Sequence, residues 1–242
     1  MPVDAIAGPL PASLRAMVVQ SAGAVDAGTD DPRGALRELA AAGLLTLGVP
    51  GRAGTIAAQA AVLAELSEAC MATAFCAWGH RMALEYVAPA GGGALRELAG
   101  ERRIGSSAMA SAFKAAAGIA PLPVCGRREG DELVLDGRIP WASNLHAGAL
   151  AVLAADVQGE GPLVVVLALA TPGVEVRPAR GLLALEATAW GQLVLDGARI
   201  DAAAVHPEPF GAFVARVRRP FLVLQSALQA ARVAPRCRGA RA

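Results

Sequence analysis

Residues 136–156, with the sequence DGRIPWASNLHAGALAVLAAD, place a large aromatic residue among polar ones in a bend between two apolar runs. Trp141 is followed closely by Ser143, Asn144 and His146. The indole has a flat apolar body, and the hydroxyl, amide and imidazole groups can donate or accept hydrogen bonds. By itself the pattern predicts a strand, a polar bend and a second strand, with Trp141 as a core side chain.

A second group of reactive side chains lies upstream, where Cys76 and His80 are four residues apart and Cys70 is nearby. On a helix, Cys76 and His80 would share one face. A zinc site needs about four ligands at recognised spacing, and no further ligand completes this set. The four cysteines of the chain form no CxxC pair. We therefore predict buried, reduced thiols and no metal site.

Two other features contain residue types that could bind ligands or catalyse reactions, but their sequence context gives little support for such a role. His80, His146 and His206 are separate in the sequence, and we interpret them as structural or surface residues. Residues 91–93 form a Gly-Gly-Gly run ahead of a short helix. This run follows a helix and lacks the spacing of known phosphate-binding loops, so it predicts an ordinary loop.

The composition is typical of a folded protein with a substantial core. The chain has 242 residues, of which 55% are hydrophobic and 18% charged, with a net charge of +1. Near-neutral charge argues against a general nucleic-acid binder. The N-terminus shows no secretory signal, and the longest apolar runs are far shorter than the roughly 20 residues that span a bilayer. These features predict a cytoplasmic protein without membrane segments.

The N-terminal part of the chain has helical periodicity. A first helix is predicted after Asp31, with Gly43 as its C-terminal stop. A second covers about residues 55–68, and a third is capped by Thr73 and ends near Pro89.

The pattern then changes to short apolar runs that are separated by turn residues. Consecutive strands without helices between them favour antiparallel pairing, and therefore a β-barrel or sandwich. The predicted strands cover residues 124–128, 132–139, 149–156, 163–170, 174–177 and 192–200.

Helical periodicity returns near residue 211. Pro220 is predicted to kink this helix or to mark its first turn, and no element is predicted after Ala234. The sequence therefore predicts an α+β protein. Its expected parts are a helical domain (1–103), an antiparallel β-domain (104–209) and the first helix of another helical domain (210–242).

This order resembles the acyl-CoA dehydrogenase family over nearly the whole chain. The similarity is carried by ALRELAAAGLLTLGVP and AAVLAELSEACMATAFCAWGH in the helical part. It continues in GDELVLDGRIPWASN in the β-part and VRRPFLVLQSAL at the end. The resemblance implies an FAD-dependent oxidoreductase acting on acyl-CoA or another small hydrophobic substrate.

The resemblance also implies a flavin site. Trp141, Ala142 and Ser143 match the tripeptide that lies against the flavin ring in the family, where Trp141 would cover the isoalloxazine and Ser143 would hydrogen-bond its edge. A second family segment corresponds to GSSAMASAFKAAAG, which lacks the usual Thr-Glu-Pro-Gly run. There Met109, Ala110 and Ser111 are expected to line the same place. This departure brings the chain closer to divergent relatives of the family, including flavin-dependent monooxygenases of the same fold.

The C-terminal part of the resemblance carries further expectations. Arg219 matches an arginine that holds the substrate side of the site, although Arg216, Arg218 and Arg219 also fit a solvated basic face. The family's catalytic carboxylate lies in a C-terminal helical domain that this sequence does not include, so the catalytic base is unknown. We therefore expect a truncated chain with weak or no activity alone, homo-oligomeric if that domain is present. The alternatives are a monooxygenase and a non-catalytic interaction remnant.

Overall fold

The computed structural model describes the backbone of residues 10–100 and 102–238, and the side chains as far as residue 229. The helices are α1 (Ala12–Asp26), α2 (Arg33–Ala41), α3 (Ile56–Ala69), α4 (Met71–Val87), α5 (Gly92–Ala99), α6 (Ala110–Ala116) and α7 (Phe210–Arg238). The strands are β1 (Gly105–Ser107), β2 (Val124–Glu129), β3 (Glu132–Ala142), β4 (Leu150–Val157), β5 (Gly161–Ala168), β6 (Val174–Pro178) and β7 (Gly191–Asp201). The α+β prediction is confirmed, and all six predicted strands are present within a few residues of their expected bounds.

The strands form one curled sheet in the order β1-β4-β2-β3-β7-β6, and β5 pairs with the other edge of β4. The prediction of purely antiparallel pairing was wrong, because β4 runs parallel to both β1 and β2. Parallel neighbours require a crossover connection. The chain makes these crossovers through α6 and through the long β3 strand, and the sheet is therefore mixed.

Strand β3 is bent where it pairs with β7, with register shifts between Leu135 and Gly137 and between Ile139 and Ala142. Gly137 has φ of +139°, and a Cβ there would lie 2.3 Å from the Pro123 carbonyl oxygen. Only glycine fits this position. Such irregularities bend a strand and re-aim its side chains, here just before the Trp141 bend.

Strand β4 separates two hydrophobic cores, since its alternate side chains point to opposite sides of the sheet. Leu150, Val152 and Ala154 pack with the helices. Ala151 and Leu153 pack inside the curled sheet with residues of the other strands. A continuous apolar run in the sequence therefore becomes a strand that is buried on both faces.

Helix α4 is buried along almost its whole length. Its charged side chains form an ion pair between Arg81 and Glu85, with 2.8 Å between Nη1 and Oε2. Arg81 also donates to the Leu47 carbonyl oxygen. Burial lowers the pKa of Arg81, while Glu85 opposes that shift. Within the described residues, no helix has the length and apolar character needed to cross a membrane.

Helix α7 packs against α3 and α4. Its aromatic contacts include Phe221 against Trp78, with ring centroids 5.2 Å apart. Of the two alternatives predicted for Pro220, the first turn is excluded, because α7 begins ten residues earlier at Phe210. The same helix continues past Ala234 to Arg238. Packing of α7 against α3 and α4 offsets the cost of about 3 kcal/mol for a proline inside a helix.

Other helix starts also differ from the sequence interpretation. Cys70, not Thr73, is the N-cap of α4, and its Sγ accepts from the Thr73 N–H at 3.5 Å. Helices α1 and α6 were not predicted. The expected second helix is confirmed, with the Thr55 side chain accepting from the Ala58 N–H.

Candidate functional site

The Trp141 bend lies at the end of β3 and is held by backbone contacts. Asn144 has φ of 59°, a left-handed conformation that asparagine tolerates better than most residues. Its N–H donates to the Thr188 carbonyl at 2.8 Å. The Ser106 hydroxyl donates to the Ser143 carbonyl at 2.6 Å. The bend is therefore fixed between β1 and the segment before β7.

The side chain of Asn144 ties the same bend to the helical part. Its Nδ2 donates to the carbonyl oxygens of Cys76 at 2.9 Å and Gly105 at 3.0 Å. Asn144 is fully buried, and a Cβ on Gly79 would come within 3.0 Å of its Nδ2. A glycine in α4 thus allows the bend to approach the helix closely.

A cavity of about 360 Å³ opens beside this bend, between β3, α4, α7 and the loop before β7. Such a volume is within the range of ligand pockets that are mostly apolar with a few polar groups. The lining residues are Phe75, Trp78, Gly79, Ser107, Ala110, Trp141, Ala142, Ser143, Leu182, Leu185, Thr188, Trp190, Phe221 and Gln225. None of these lining residues of the described structure has a carboxylate or imidazole side chain.

Three tryptophan side chains, Trp78, Trp141 and Trp190, line the cavity. Trp141 and Trp190 stack with ring centroids 5.0 Å apart and an interplanar angle of 7°. Trp141 is nevertheless 63% exposed, so it is not the core side chain that the local pattern suggested. The Nε1 atoms of Trp78 and Trp190 are buried without a hydrogen-bond partner among the described residues. Buried indole N–H groups are usually paired, so these two are exceptions among the described residues.

The predicted segment after β1 contributes only in part. Ala110 lines the cavity, whereas Met109 is fully buried beneath it as the N-cap of α6. Ser111 is not among the lining residues, although its Oγ is also buried without a partner in the described structure. Ser107, which the sequence did not single out, lines the cavity and is held 2.9 Å from the Tyr86 hydroxyl.

Arg219 is exposed and does not line the cavity. The structure therefore does not place it with the other predicted site residues. Arg216 is partly buried instead: it pairs with Glu208 at 2.9 Å and donates to the Glu85 carbonyl. Helix α7 reaches the cavity through Phe221 and Gln225.

An apolar groove of about 740 Å³ adjoins the cavity between α6 and α7. It shares Ala110, Phe221 and Gln225 with the cavity. Its other walls are mainly alanine, valine, leucine and phenylalanine side chains, with Arg218 at the edge. No carboxylate lines this groove in the described part of the chain.

The histidines lie away from the cavity. His80 accepts from the Gly105 N–H at 2.9 Å, and burial, followed by the charge of Arg81, lowers its pKa to about 4. Burial also lowers the pKa of His146 and of His206. Burial raises the pKa of the Cys76 thiol. Among the side chains that the structure describes, no three His, Cys, Asp or Glu residues are grouped to hold a metal ion.

No family model and no curated protein matches the chain. Several solved structures have a similar fold. FkbI, for biosynthesis of a methoxymalonyl extender unit, is 23% identical with a TM-score of 0.72, over 89% of this chain and 65% of its own. The prolyl acyl carrier protein oxidase AnaB is 19% identical with a TM-score of 0.71, over 90% and 64%. A glutaryl-CoA dehydrogenase from Mycobacterium smegmatis, in complex with FADH2, is 19% identical with a TM-score of 0.70, over 89% and 61%.

The chain has the acyl-CoA dehydrogenase fold. It spans less than two thirds of the length of each of these three proteins. At identities below one quarter, the likeness is one of architecture. The acyl-CoA dehydrogenase fold nevertheless accounts for the curled, mixed sheet that packs one face against the helices.

Proposed function

We propose that the chain binds FAD, with the isoalloxazine ring in the cavity beside Trp141. The observation that carries this proposal is the aromatic wall formed by the Trp141–Trp190 stack, which lines the cavity. A flavin is planar and has several hydrogen-bond acceptors on its edge. The structural neighbour in complex with FADH2 supports the choice of cofactor.

The individual residues would have different roles. Trp141 would cover the ring by stacking, and Ser143 would hydrogen-bond its edge. Ala142 is small and buried, so the backbone of the tripeptide can approach the ring. Ala110 would form the opposite wall. Met109 and Ser111 would support α6 beneath the cavity, without direct contact with the flavin.

We further propose an oxidoreductase of acyl-CoA dehydrogenase type. Bound flavin supplies a hydride acceptor, which the side chains of this protein cannot provide. The apolar groove between α6 and α7 would hold the acyl part of a substrate, such as an acyl-CoA, in contact with the cavity. Removal of an α-proton needs a base within hydrogen-bond reach. Since no carboxylate or histidine lines the cavity or the groove among the described residues, we propose weak or no dehydrogenation by this chain alone.

The flavin proposal is tested by titrating the purified protein with FAD and following flavin fluorescence and absorbance. We expect saturable binding by the wild type. Trp141→Ala should weaken it by about tenfold, because stacking of aromatic rings contributes on the order of 1 kcal/mol beyond area burial. Trp141→Phe should retain most of the affinity. Leu183→Ala is the matched control, since Leu183 is fully exposed and lies outside the cavity lining.

Two outcomes would contradict the proposal: no flavin uptake by the wild type, or equal affinity in the wild type and Trp141→Ala. Once flavin is bound, oxygen consumption by the reduced protein without acyl-CoA oxidation would favour the monooxygenase alternative. AnaB, a structural neighbour, is an oxidase. Absence of flavin uptake combined with self-association at high concentration would favour a non-catalytic interaction role.

A further inference from the structure

A second cavity, of about 160 Å³, lies between α2, α4 and the segments that flank β1 and β4. We call it the arginine pocket. Its lining residues are Arg33, Leu36, Arg37, Ala40, Leu45, His80, Arg102, Arg103, Ile104, Ala147 and Gly148. Four of these are arginines, two from α2 and two from the segment before β1. No described acidic side chain lines it.

Two of the arginines already have carboxylate partners. Arg33 Nε donates to Asp31 at 2.7 Å. Burial would raise the pKa of Asp31, but hydrogen bonds from Arg33 hold it below its usual value. Arg103 Nε lies 3.0 Å from Glu97 Oε2. These pairs neutralise part of the local charge and fix the orientation of both guanidinium groups.

The remaining two arginines make the pocket electropositive. Arg37 and Arg102 form no ion pair with a carboxylate of the described residues. Among the described residues, the four guanidinium groups and their two partner carboxylates leave a surplus of about two positive charges. A phosphate monoester has nearly two negative charges at neutral pH. Guanidinium groups bind such oxygens with paired, charge-assisted hydrogen bonds.

The wall of the pocket on α4 adds a neutral donor. His80 lines the pocket, and its Nδ1 accepts a hydrogen bond from the Gly105 N–H. Since burial keeps the imidazole neutral at neutral pH, with a pKa of about 4, its remaining proton is on Nε2. A hydrogen-bond donor thus accompanies the charged side chains.

We propose that the arginine pocket binds the phosphate group of a small molecule. The pocket is smaller than typical cavities for whole organic ligands, so it suits a single phosphate group or the phosphate end of a longer compound. It shares no lining residue with the flavin cavity. On α4, Gly79 lines the flavin cavity and the next residue, His80, lines the arginine pocket. The phosphate proposal therefore does not rest on the flavin proposal.

Inorganic phosphate is the probe for the test, added to the wild-type chain at constant ionic strength with chloride as the reference anion. Binding is measured by calorimetry and by the thermal unfolding midpoint. We expect saturable stabilisation by phosphate and not by chloride. Acetate, which has one charge, should bind at least about tenfold more weakly, because each charge-assisted hydrogen bond contributes on the order of 1.5 kcal/mol or more.

The variants Arg37→Gln and Arg102→Gln should each lower phosphate affinity by about tenfold, and the double variant should lose binding. Both side chains are exposed, so these changes should not unfold the protein. Arg52→Gln is the matched control, because Arg52 is exposed and outside the pocket. Equal phosphate affinity in the double variant and the wild type would overturn the site. Equal affinity for acetate and phosphate would overturn its assignment to a phosphate group.

Discussion

Replacing Asn144 with alanine tests how the Trp141 bend is held against the helices. The change removes two buried hydrogen bonds, from Nδ2 to the carbonyls of Cys76 and Gly105. Their loss should cost about 2 kcal/mol, and an alanine at φ of 59° adds about 1 kcal/mol of backbone strain. Against this, the variant removes the buried Oδ1, which has no described partner, and recovers about 1 kcal/mol.

The net expectation for Asn144→Ala is therefore a loss of about 2 kcal/mol in the free energy of unfolding. This corresponds to a decrease of roughly 4–8 °C in Tm. Urea denaturation, followed by far-UV circular dichroism, provides the measurement. Asn144→Gly loses the same hydrogen bonds without the left-handed strain, and should be no less stable than Asn144→Ala. A loss below about 0.5 kcal/mol in Asn144→Ala would refute the view that this side chain anchors the bend.

Glu85→Gln should lower the free energy of unfolding by about 3 kcal/mol or more, because it leaves the buried Arg81 charge uncompensated. Glu208→Gln breaks a partly exposed ion pair with Arg216 and should cost less than about 1 kcal/mol. Equal losses of stability in the two variants, measured by urea denaturation, would contradict the expected effect of burial. The lowered pKa of His80 predicts that stability depends on pH, because the unfolded chain binds the imidazole proton more tightly than the folded chain. About 3 kcal/mol of the free energy of unfolding, present above pH 6.5, should be lost as the pH falls towards 4. In unfolding curves measured between pH 7 and 4, His80→Gln should show a smaller loss than the wild type. Identical slopes would contradict this assignment, and the other two histidines should account for part of the remaining slope.

Local patterns were sufficient to locate most elements. Strands β2 to β7 were predicted close to their observed bounds, because apolar runs and turn residues are properties of neighbouring residues. Pairing direction was not predictable in the same way. The parallel alignment of β4 with β1 and β2 depends on contacts between residues far apart in the chain. The start of α4 was missed because Cys70 is an uncommon N-cap.

The candidate sites also combine features that the sequence predicted with features that only the tertiary structure shows. The sequence singled out Trp141 and its neighbours, since an aromatic residue in a polar bend is a local feature and the family resemblance gave it a role. Only the tertiary structure shows that Trp190 stacks against Trp141 and that Trp78 lines the cavity. It also shows that Arg219 does not line the cavity. The arginine pocket joins side chains of α2 to others about 65 residues later. Local periodicity records which residues are buried, whereas packing of distant segments decides which of them face one another.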